Sequence, residues 1–287
     1  MKIAGVTVLY NPSNEVKNNI KSYINEIDIL YLVDNTPNID NSNLFKNVKK
    51  VKYIPLKDNK GIAYALNVGA KEAMKSGADW LLTMDQDSHF EKGNLKKLIS
   101  FLGDIKKGKY SDLDFDKVGL VSPFHEIPQT EGQNPKGYDK PLLVMTSGNI
   151  INLKAYEKIG GFKDWLFIDT VDFDYCLNLR THGYEIVQDN ESHLKHNLGN
   201  TIKKTIGKKS MFVSNHSAIR RYYMVRNRHY IYDMYHEQFP LYCKLEIGRT
   251  RRELFKLWLY EKQKIKKTIY MFQGYIDYKR GRKGSKK

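Results

Sequence analysis

Two cysteines in 287 residues leave no disulfide framework and no thiolate cluster for a metal. Cys176 and Cys243 have no ligand-like spacing, so they read as small core residues of a chain kept in a reducing cytosol. No stretch approaches the roughly 20 apolar residues that a membrane-crossing helix needs. The opening segment, Met1 to Tyr10, lacks a long apolar region followed by a cleavage site. It reads as a first buried strand and not as a leader. Internal repeats and long low-complexity tracts are missing too, which excludes solenoid and fibrous architectures. Arginine is almost absent from the first two-thirds, where Arg180 stands alone before Arg220. Acidic residues are scarce at the other end. Residues 1–200 carry 25 Lys/Arg against 26 Asp/Glu, and residues 201–287 carry 23 against 6. The whole formal charge of +16 therefore sits in the last third, which predicts a compositional boundary near residue 200 and an anionic partner beyond it.

What is present is globular: 41% hydrophobic and 28% charged residues exclude a disordered chain. Strand and helix patterns alternate. Ile3 to Leu9 is a β-rich run that ends at the turn Asn11-Pro12. Glu15 to Ile27 has helical spacing, Ile29 to Val33 is a second strand, and Val48 to Leu56 a third. Gly61 to Ser76 is a helix with Ile62, Leu66, Ala70 and Ala73 on one face, and Trp80 to Met84 a fourth strand. This alternation predicts an α/β fold with a mostly parallel sheet and helices on both faces. Ligands then bind beyond the carboxyl ends of the strands. Residues 103 to 117 and 126 to 141 read as loops, and Leu142 to Ile151 as a strand interrupted at Ser147-Gly148-Asn149.

The chemistry concentrates at Asp85-Gln86-Asp87-Ser88, where the fourth strand ends. Carboxylates one residue apart point to one spot just past a sheet edge. Two hard oxygen ligands there suit Mg²⁺ or Mn²⁺, and such a cation suits a diphosphate. An Asp-rich turn is the plainer reading of the pair alone.

Other motifs line up in order around it. They are Tyr10-Asn11-Pro12, Asp34-Asn35, Asn59-Lys60-Gly61 with Asn67 and Gly69, and Thr146-Ser147-Gly148-Asn149. Gly160-Gly161-Phe162 follows, then Asp169-Thr170-Val171-Asp172-Phe173-Asp174 with Arg180 and Gly183, then His196-Asn197-Leu198-Gly199. The series closes with Arg220-Arg221-Tyr222-Tyr223-Met224-Val225-Arg226-Asn227. Over roughly residues 3 to 230 this series resembles glycosyltransferase family 2, inverting enzymes of the nucleotide-sugar-binding GT-A fold. Asp-Gln-Asp-Ser and the Arg-x-Tyr-Tyr-x-x-Arg-Asn segment look most like its bacterial rhamnosyltransferase branch.

The resemblance implies a catalytic domain over 1–230 and a basic helical extension over 231–287. It makes Asp87 the direct ligand of Mn²⁺ or Mg²⁺, places Asp85 near the metal and ribose, and makes His196 a later metal or diphosphate ligand, with His193 a nearby competitor. Asp172 matches the family's catalytic base. The acid that usually precedes it is Val171 here, and Asp169 is a candidate to supply that charge. Tyr10 and Pro12 would wall the nucleotide base, Asp34 would accept from base or ribose, and Lys60, Gly61 and Gln86 would border the nucleotide. Ser147, Gly148, Asn149, Asp169 and Asp174 would contact sugar or acceptor, and Arg220 and Arg226 would fork onto the diphosphate. Plainer readings stand beside these. The acids near Asp172 suit any helix start, Lys60-Gly61 any turn, and the arginines any solvated basic helix.

From Leu241 on, Leu254, Trp258, Ile265, Ile269, Phe272 and Ile276 recur at helical steps among Lys and Arg. Such helices suit an anionic membrane surface, and equally a packed core or a second subunit as a homodimer. Gly281 to Lys287 reads as a disordered basic end. The resemblance then implies a peripheral protein on the inner face of the cell membrane. The donor would be dTDP-β-L-rhamnose or a UDP-hexose, and the acceptor a lipid-linked or polysaccharide glycan. Nucleic acid is disfavoured as a partner because the charge is confined to the tail and no nucleic-acid motif is present. A nucleotidyltransferase would want a Gly-rich basic loop after the first strand, where this chain has Tyr10-Asn11-Pro12-Ser13.

Overall fold

The computed structural model describes residues 1–195, the backbone of 202–206 and 209–213, and residues 215–286. The chain divides into two compact units. One comprises Met1–Asp164 and Asp172–Asn197; the other comprises Trp165–Val171 and Leu198–Lys287. The expected boundary at 230 falls inside a helix, Ala218–Tyr235. The division lies close to the charge step near residue 200.

The first unit is built on a sheet. Its elements are β1 (Ile3–Leu9), α1 (Glu15–Lys21), β2 (Ile29–Asp34), β3 (Val51–Pro55), α2 (Ile62–Lys75), β4 (Trp80–Asp85), β5 (His89–Phe90), α3 (Asn94–Lys106) and β6 (Val118–Glu126). There follow β7 (Tyr138–Asp139), β8 (Asn149–Asn152), α4 (Leu153–Lys158), α5 (Val171–Thr181) and β9 (Glu185–Lys195). The strand order is β3-β2-β1-β4-β8-β6-β9-β5, with β7 also on β9. The strands β3, β2, β1 and β4 are parallel. Beyond β4 the sheet is mixed: β8 runs antiparallel to β4 and β6, while β6 and β9 are parallel.

Near-continuous apolar runs explain the parallel part, because strands covered on both faces need them. β1 is buried from Ile3 to Thr7, and β4 from Trp80 to Met84. From β1 the chain steps outward to β2 and β3, then returns through α2 to β4 on the other side of β1. That reversal opens a crevice at the carboxyl ends of β1 and β4, where α/β sheets bind ligands. Register aligns the ends: Leu9 lies opposite Asp34, and Val8 opposite Asp85. α2 sits close on the sheet because Gly69 has no side chain; a Cβ there would overlap Val6.

Some boundaries differ from the sequence pattern. α1 ends at Lys21, and a separate 3₁₀ turn covers Ile24–Glu26. The Ser22 hydroxyl donates to the Asn19 carbonyl at 2.6 Å and accepts from the Phe90 N–H at 3.1 Å, which offers the backbone another route. α3 reaches into the stretch expected as loop, because Phe101, Leu102 and Ile105 supply a buried face beneath the charges. Of Leu142 to Ile151, only the end from Asn149 is strand.

The second unit contains the antiparallel pair β10 (Ile202–Ile206) and β11 (Lys209–Val213). Three helices follow: α6 (Ala218–Tyr235), α7 (Pro240–Tyr260) and α8 (Lys264–Lys279). α6 is buried over Arg221 to Arg228. Its charges are paired internally: Arg221 with Glu261 and, at 3.2 Å, with Glu253; Arg228 with Glu253 at 2.7 Å and with Glu246 at 3.4 Å. Lys267 of α8 completes the set at 2.7 Å from Glu261. Gly274 of α8 crosses against the Tyr222 backbone, where a Cβ would not fit. α8 buries Lys267, Met271, Gly274 and Asp277, whereas Ile265, Ile269 and Phe272 are exposed at 69%, 50% and 64%. The tail after α8, expected as disordered, is tied down through residue 286. The Tyr230 hydroxyl donates to the Arg282 carbonyl at 3.0 Å, the Gly284 N–H to the Trp165 carbonyl at 2.8 Å, and the Lys286 N–H to the Tyr223 hydroxyl at 2.7 Å. No helix among the described residues is long and apolar enough to cross a membrane.

Candidate active site

In the sheet unit, three loops meet at the carboxyl ends of β1, β2 and β4 and are cross-linked by side chains. Gln86 accepts from the Tyr10 N–H at 2.9 Å and donates to the Tyr10 carbonyl at 3.1 Å. Asn19 holds the Gln86 carbonyl at 2.8 Å, and Thr36 accepts from the Asn11 N–H at 2.8 Å. The Tyr10 ring is left 46% exposed above this junction. Gln86 therefore joins the first strand's loop to the aspartate turn through main-chain bonds of its own.

Asp34 is buried. Its Oδ2 accepts from Tyr53 at 2.6 Å and Asn41 at 2.8 Å, and its Oδ1 from the Thr36 N–H at 2.9 Å. Burial and the neighbouring Asp34 push the Tyr53 phenol well above its ordinary range, so it stays a donor. Asn35 accepts from the Lys60 N–H at 2.8 Å, and its amide donates to Asn59 at 3.0 Å. The Lys60 ammonium is exposed and paired with Asp58 at 2.7 Å. Gly61 caps α2 at φ +89°, a left-handed angle that favours glycine.

Asp85 is half-buried at the end of β4, and Asp87 is exposed in the turn after it. The Ser147 hydroxyl accepts from the Asp85 N–H at 3.0 Å, and its carbonyl is held by His125 at 2.7 Å. Gly148 has φ +84°, and its close approach is to the protein: a Cβ would lie 2.7 Å from Leu194 and 2.9 Å from Pro123. Its N–H donates to the Thr83 carbonyl at 2.7 Å. The Ser-Gly-Asn segment thus braces the end of β4.

Beneath it lies a narrow cleft lined by Thr83, Thr146, Asn149, Asp172, Tyr175 and Cys176. Asp172 is half-buried in the first turn of α5. Asn149 Oδ1 and the Tyr175 hydroxyl are buried without hydrogen-bond partners. Burial pushes the Cys176 thiol up to about 12, so it stays protonated and inert. Asp174 departs from its expected sugar contact. It is fully buried and ion-paired with Lys163 at 2.9 and 3.0 Å, which occupies both carboxylate oxygens.

The remaining expected residues fall in the helical unit. Asp169 pairs with Arg220 at 3.0 Å. Burial raises its carboxyl above the ordinary range, against the opposing pull of Arg220. Arg226 also departs from expectation. It is buried, its Nη2 donates to the carbonyls of Trp165 and Leu166 at 3.1 and 3.2 Å, its Nη1 to Gly284 at 2.6 Å, and its Nε to Asn227 at 3.0 Å. All three nitrogens are engaged within the helical unit. What it braces is a strained loop: Phe167, Asp169 and Thr170 have φ of +67°, +62° and +61°. Each such angle costs a residue with a side chain about 1–3 kcal/mol. Sequence reasoning had no signal for this strain; it quoted Asn227 at the end of its motif without a role and passed over Tyr175.

His196 lies outside the described residues. His193 is bonded to Glu126 at 2.7 Å and Asn190 at 3.1 Å. Among the described residues, no three His, Cys, Asp or Glu side chains are gathered to hold a metal. Asp85 and Asp87 fit a cation that arrives with phosphate oxygens, since Mg²⁺ is commonly held by one or two carboxylates plus substrate phosphates and water.

A profile of glycosyl transferase family 2 matches residues 6–140. The dTDP-rhamnosyl transferase RfbF of Shigella flexneri is 31% identical over 242 residues, which is 78% of this chain and 78% of that protein. The crystal structure of S. aureus TarS 1-349 matches with a TM-score of 0.57 at 12% identity, covering 97% of this chain and 81% of that one. The crystal structure of GalNAc-T7 with UDP, GalNAc and Mn²⁺ matches with a TM-score of 0.55 at 12% identity, covering 68% of this chain and 44% of that one. Likeness at 12% identity concerns the fold, and it agrees with the expected GT-A-type α/β domain with C-terminal helices.

Proposed function

From the premise that this chain belongs to glycosyl transferase family 2, and is a glycosyltransferase, we propose that it moves L-rhamnose from dTDP-β-L-rhamnose to a hydroxyl of a bacterial glycan, with inversion. The observation that carries the site is the placement of Asp85 and Asp87 at the switch between β1 and β4. The dTDP-rhamnosyl transferase relative supports the donor.

In this reading the exposed ring of Tyr10 and the neighbouring Pro12 receive the base. Asp34 stands behind them, holding the β2 loop in shape through Tyr53, Asn41 and Thr36. Lys60 and Gly61 border the nucleotide at the start of α2. Asp85 and Asp87 would hold Mn²⁺ or Mg²⁺, which when bound neutralises charge on the departing diphosphate. His196 is a further candidate for that set. Arg220 offers an exposed guanidinium, unlike Arg226. Asn149 Oδ1, buried without a hydrogen-bond partner in the cleft that Asp172 also lines, is the candidate of the Ser-Gly-Asn segment for a sugar hydroxyl. The Asp172 carboxylate takes the proton from the acceptor hydroxyl as its oxygen bonds to the anomeric carbon. The bond from that carbon to the diphosphate oxygen breaks on the opposite face.

The helical unit supports a second part of the reading, a peripheral seat on an anionic membrane. Phe255, Trp258 and Leu259 of α7 and Ile265, Ile269 and Phe272 of α8 are exposed. Lys244, Arg251, Arg252, Lys262 and Lys266 are exposed among them. Apolar side chains with a basic surround suit acyl chains below and anionic headgroups above. That seat would bring the enzyme to lipid-linked acceptors on the inner face of the cell membrane.

Titrating the protein with dTDP, UDP and GDP, each with and without Mn²⁺, tests the donor. Metal-dependent preference for dTDP supports rhamnosyl transfer. Preference for UDP keeps the enzyme and replaces the donor by a UDP-hexose, and no binding overturns the site. Sedimentation with phosphatidylglycerol vesicles tests the seat. Salt-sensitive pelleting is expected, and a protein that stays in the supernatant as a stable dimer would assign the apolar face to a second copy.

A further inference from the structure

Between β7 and β8 the chain from Lys140 to Gly148 forms neither strand nor helix. It runs inward all the same: Val144, Ser147 and Gly148 are buried. Main-chain groups taken out of water need partners, and here side chains supply them. Arg180 Nε donates to the Leu142 carbonyl at 3.3 Å, and its Nη2 donates to the carbonyls of Pro141 and, at 3.2 Å, Lys140. The Cys176 thiol donates to the Val144 carbonyl at 3.7 Å. Farther along, the Asn149 amide holds the Met145 carbonyl and the Thr83 hydroxyl the Thr146 carbonyl, each at 2.6 Å. His125 takes the Ser147 carbonyl at 2.7 Å.

The grip comes from two sides. Asp172, Cys176 and Arg180 recur at helical steps along one stripe of α5. Cys176 and Arg180 hold the first half of the segment, and Asp172 lines the cleft together with Val144 and Thr146. On the other side, Thr83 of β4 holds the second half, and Ser147 accepts from the Asp85 N–H. One segment thus joins the strand end that carries Asp85 to the helix that carries Asp172. Every residue in this arrangement belongs to the sheet unit. A chain outside any ladder takes its position from the side chains that hold it. Among these, Arg180 covers three successive carbonyls with one rigid, planar fork.

We infer that Arg180 positions the transfer machinery: by holding the carbonyls of residues 140–142 it sets the cleft wall at Val144 and Thr146 against Asp172. Arg180 is a positioning residue, acting through the main chain of the segment and not on substrate. The inference rests on the reading of Asp172 as the base.

The test is a double-mutant cycle on transfer rate at saturating donor and acceptor. Arg180→Met keeps the length of the side chain and removes its donors. It is expected to lower kcat by about 10²-fold, the scale of a misplacement of about 1 Å, with KM for the donor within about twofold. Arg180→Lys should not restore the rate, because a single ammonium lacks the fork. Near-normal kcat in that variant would overturn the brace in favour of a role for charge alone. Thr83→Val, which frees the Thr146 carbonyl at nearly constant shape, should lower kcat in the same direction, and it decides the matter if the Arg180 variants do not fold. Adding Arg180→Met, or Thr83→Val in that event, to an enzyme that already carries Asp172→Asn should cost nothing further, because the group facing the wall is gone. A second loss of the same size there would overturn the positioning role, as would unchanged kcat in the single variants. Near-normal turnover of Asp172→Asn alone would instead remove the base assignment itself.

Discussion

In the sheet unit, apolar side chains face inward, and the acids that matter stand at the ends of β2 and β4 and in the first turn of α5. In the helical unit, α8 does the reverse: Lys267 and Asp277 are inside, while Ile265, Ile269 and Phe272 are outside. The two units thus solve burial with different chemistry. One relies on continuous apolar strands, the other combines a small apolar cluster of Val225, Leu257 and Met271 with ion pairs such as Arg221 with Glu261 and Arg228 with Glu253. A buried ion pair is weak evidence for stability, since desolvation offsets most of its attraction. The apolar residues of α8 are consequently available for an external surface, which a helix optimised for its own unit would have placed inside.

The sharpest way to break this division of labour is at Asp172. Asp172→Asn should lower transfer by about 10²–10⁴-fold while calorimetry finds nucleotide binding intact. Loss of both together would mean that the residue holds the sheet unit and does not serve chemistry. Next in size is Glu261→Gln. It leaves Arg221 and Lys267 buried beside a neutral amide, and urea denaturation should register a loss of about 3–5 kcal/mol. A change below about 0.5 kcal/mol would show that the ion network is solvated and that the contrast between the units is overstated. Ile269→Ser with Phe272→Ser should barely move the melting temperature, because both side chains already face water. The same pair should reduce pelleting with phosphatidylglycerol vesicles; a large drop in melting temperature would put that face inside the fold.

A further test concerns pH. Burial, aided by Arg220 and Arg221, lowers the His216 imidazole from 6.5 to about 3. Below pH 6.5 the unfolded chain takes up a proton that the folded helical unit refuses. The contribution is therefore fully present above that pH and is lost as pH falls toward 3. Thermal melts at pH 7.5 and pH 5 should differ by less in His216→Asn than in the native chain, and equal differences would show that His216 is solvated.

Much of the sheet unit was legible because its signals are local. Short apolar runs bounded by turns, such as Trp80 to Met84, read as buried strands, and the alternation with helices orders them. Asp85 and Asp87 were visible because spacing alone aims both at a strand end. The side chains that position a neighbour were not legible. Ser147 resembles a sugar contact until its hydroxyl is seen on the Asp85 N–H. Asp174 and Arg226 look like ligands until burial and partners are known, since a charge on a helix does not declare which way it faces. In α8 the helical period was plain, but the face that turns inward depends on Tyr222 meeting Gly274, a contact set by tertiary structure. The strain at Phe167, Asp169 and Thr170 was invisible for a related reason: nothing in those residue types asks for left-handed backbone.

The grip of Gln86 on both the N–H and the carbonyl of Tyr10 has a consequence for anyone reshaping this enzyme. A single hydrogen bond lets two loops pivot; a pair fixes rotation as well. The Tyr10-to-Pro12 segment and the Asp85-to-Ser88 turn are therefore one mechanical part, though 76 residues separate the bonded pair. Loops borrowed from a relative to alter donor choice will have to be transplanted in matched sets, and a chimera that exchanges one without the other inherits an amide with no peptide to hold.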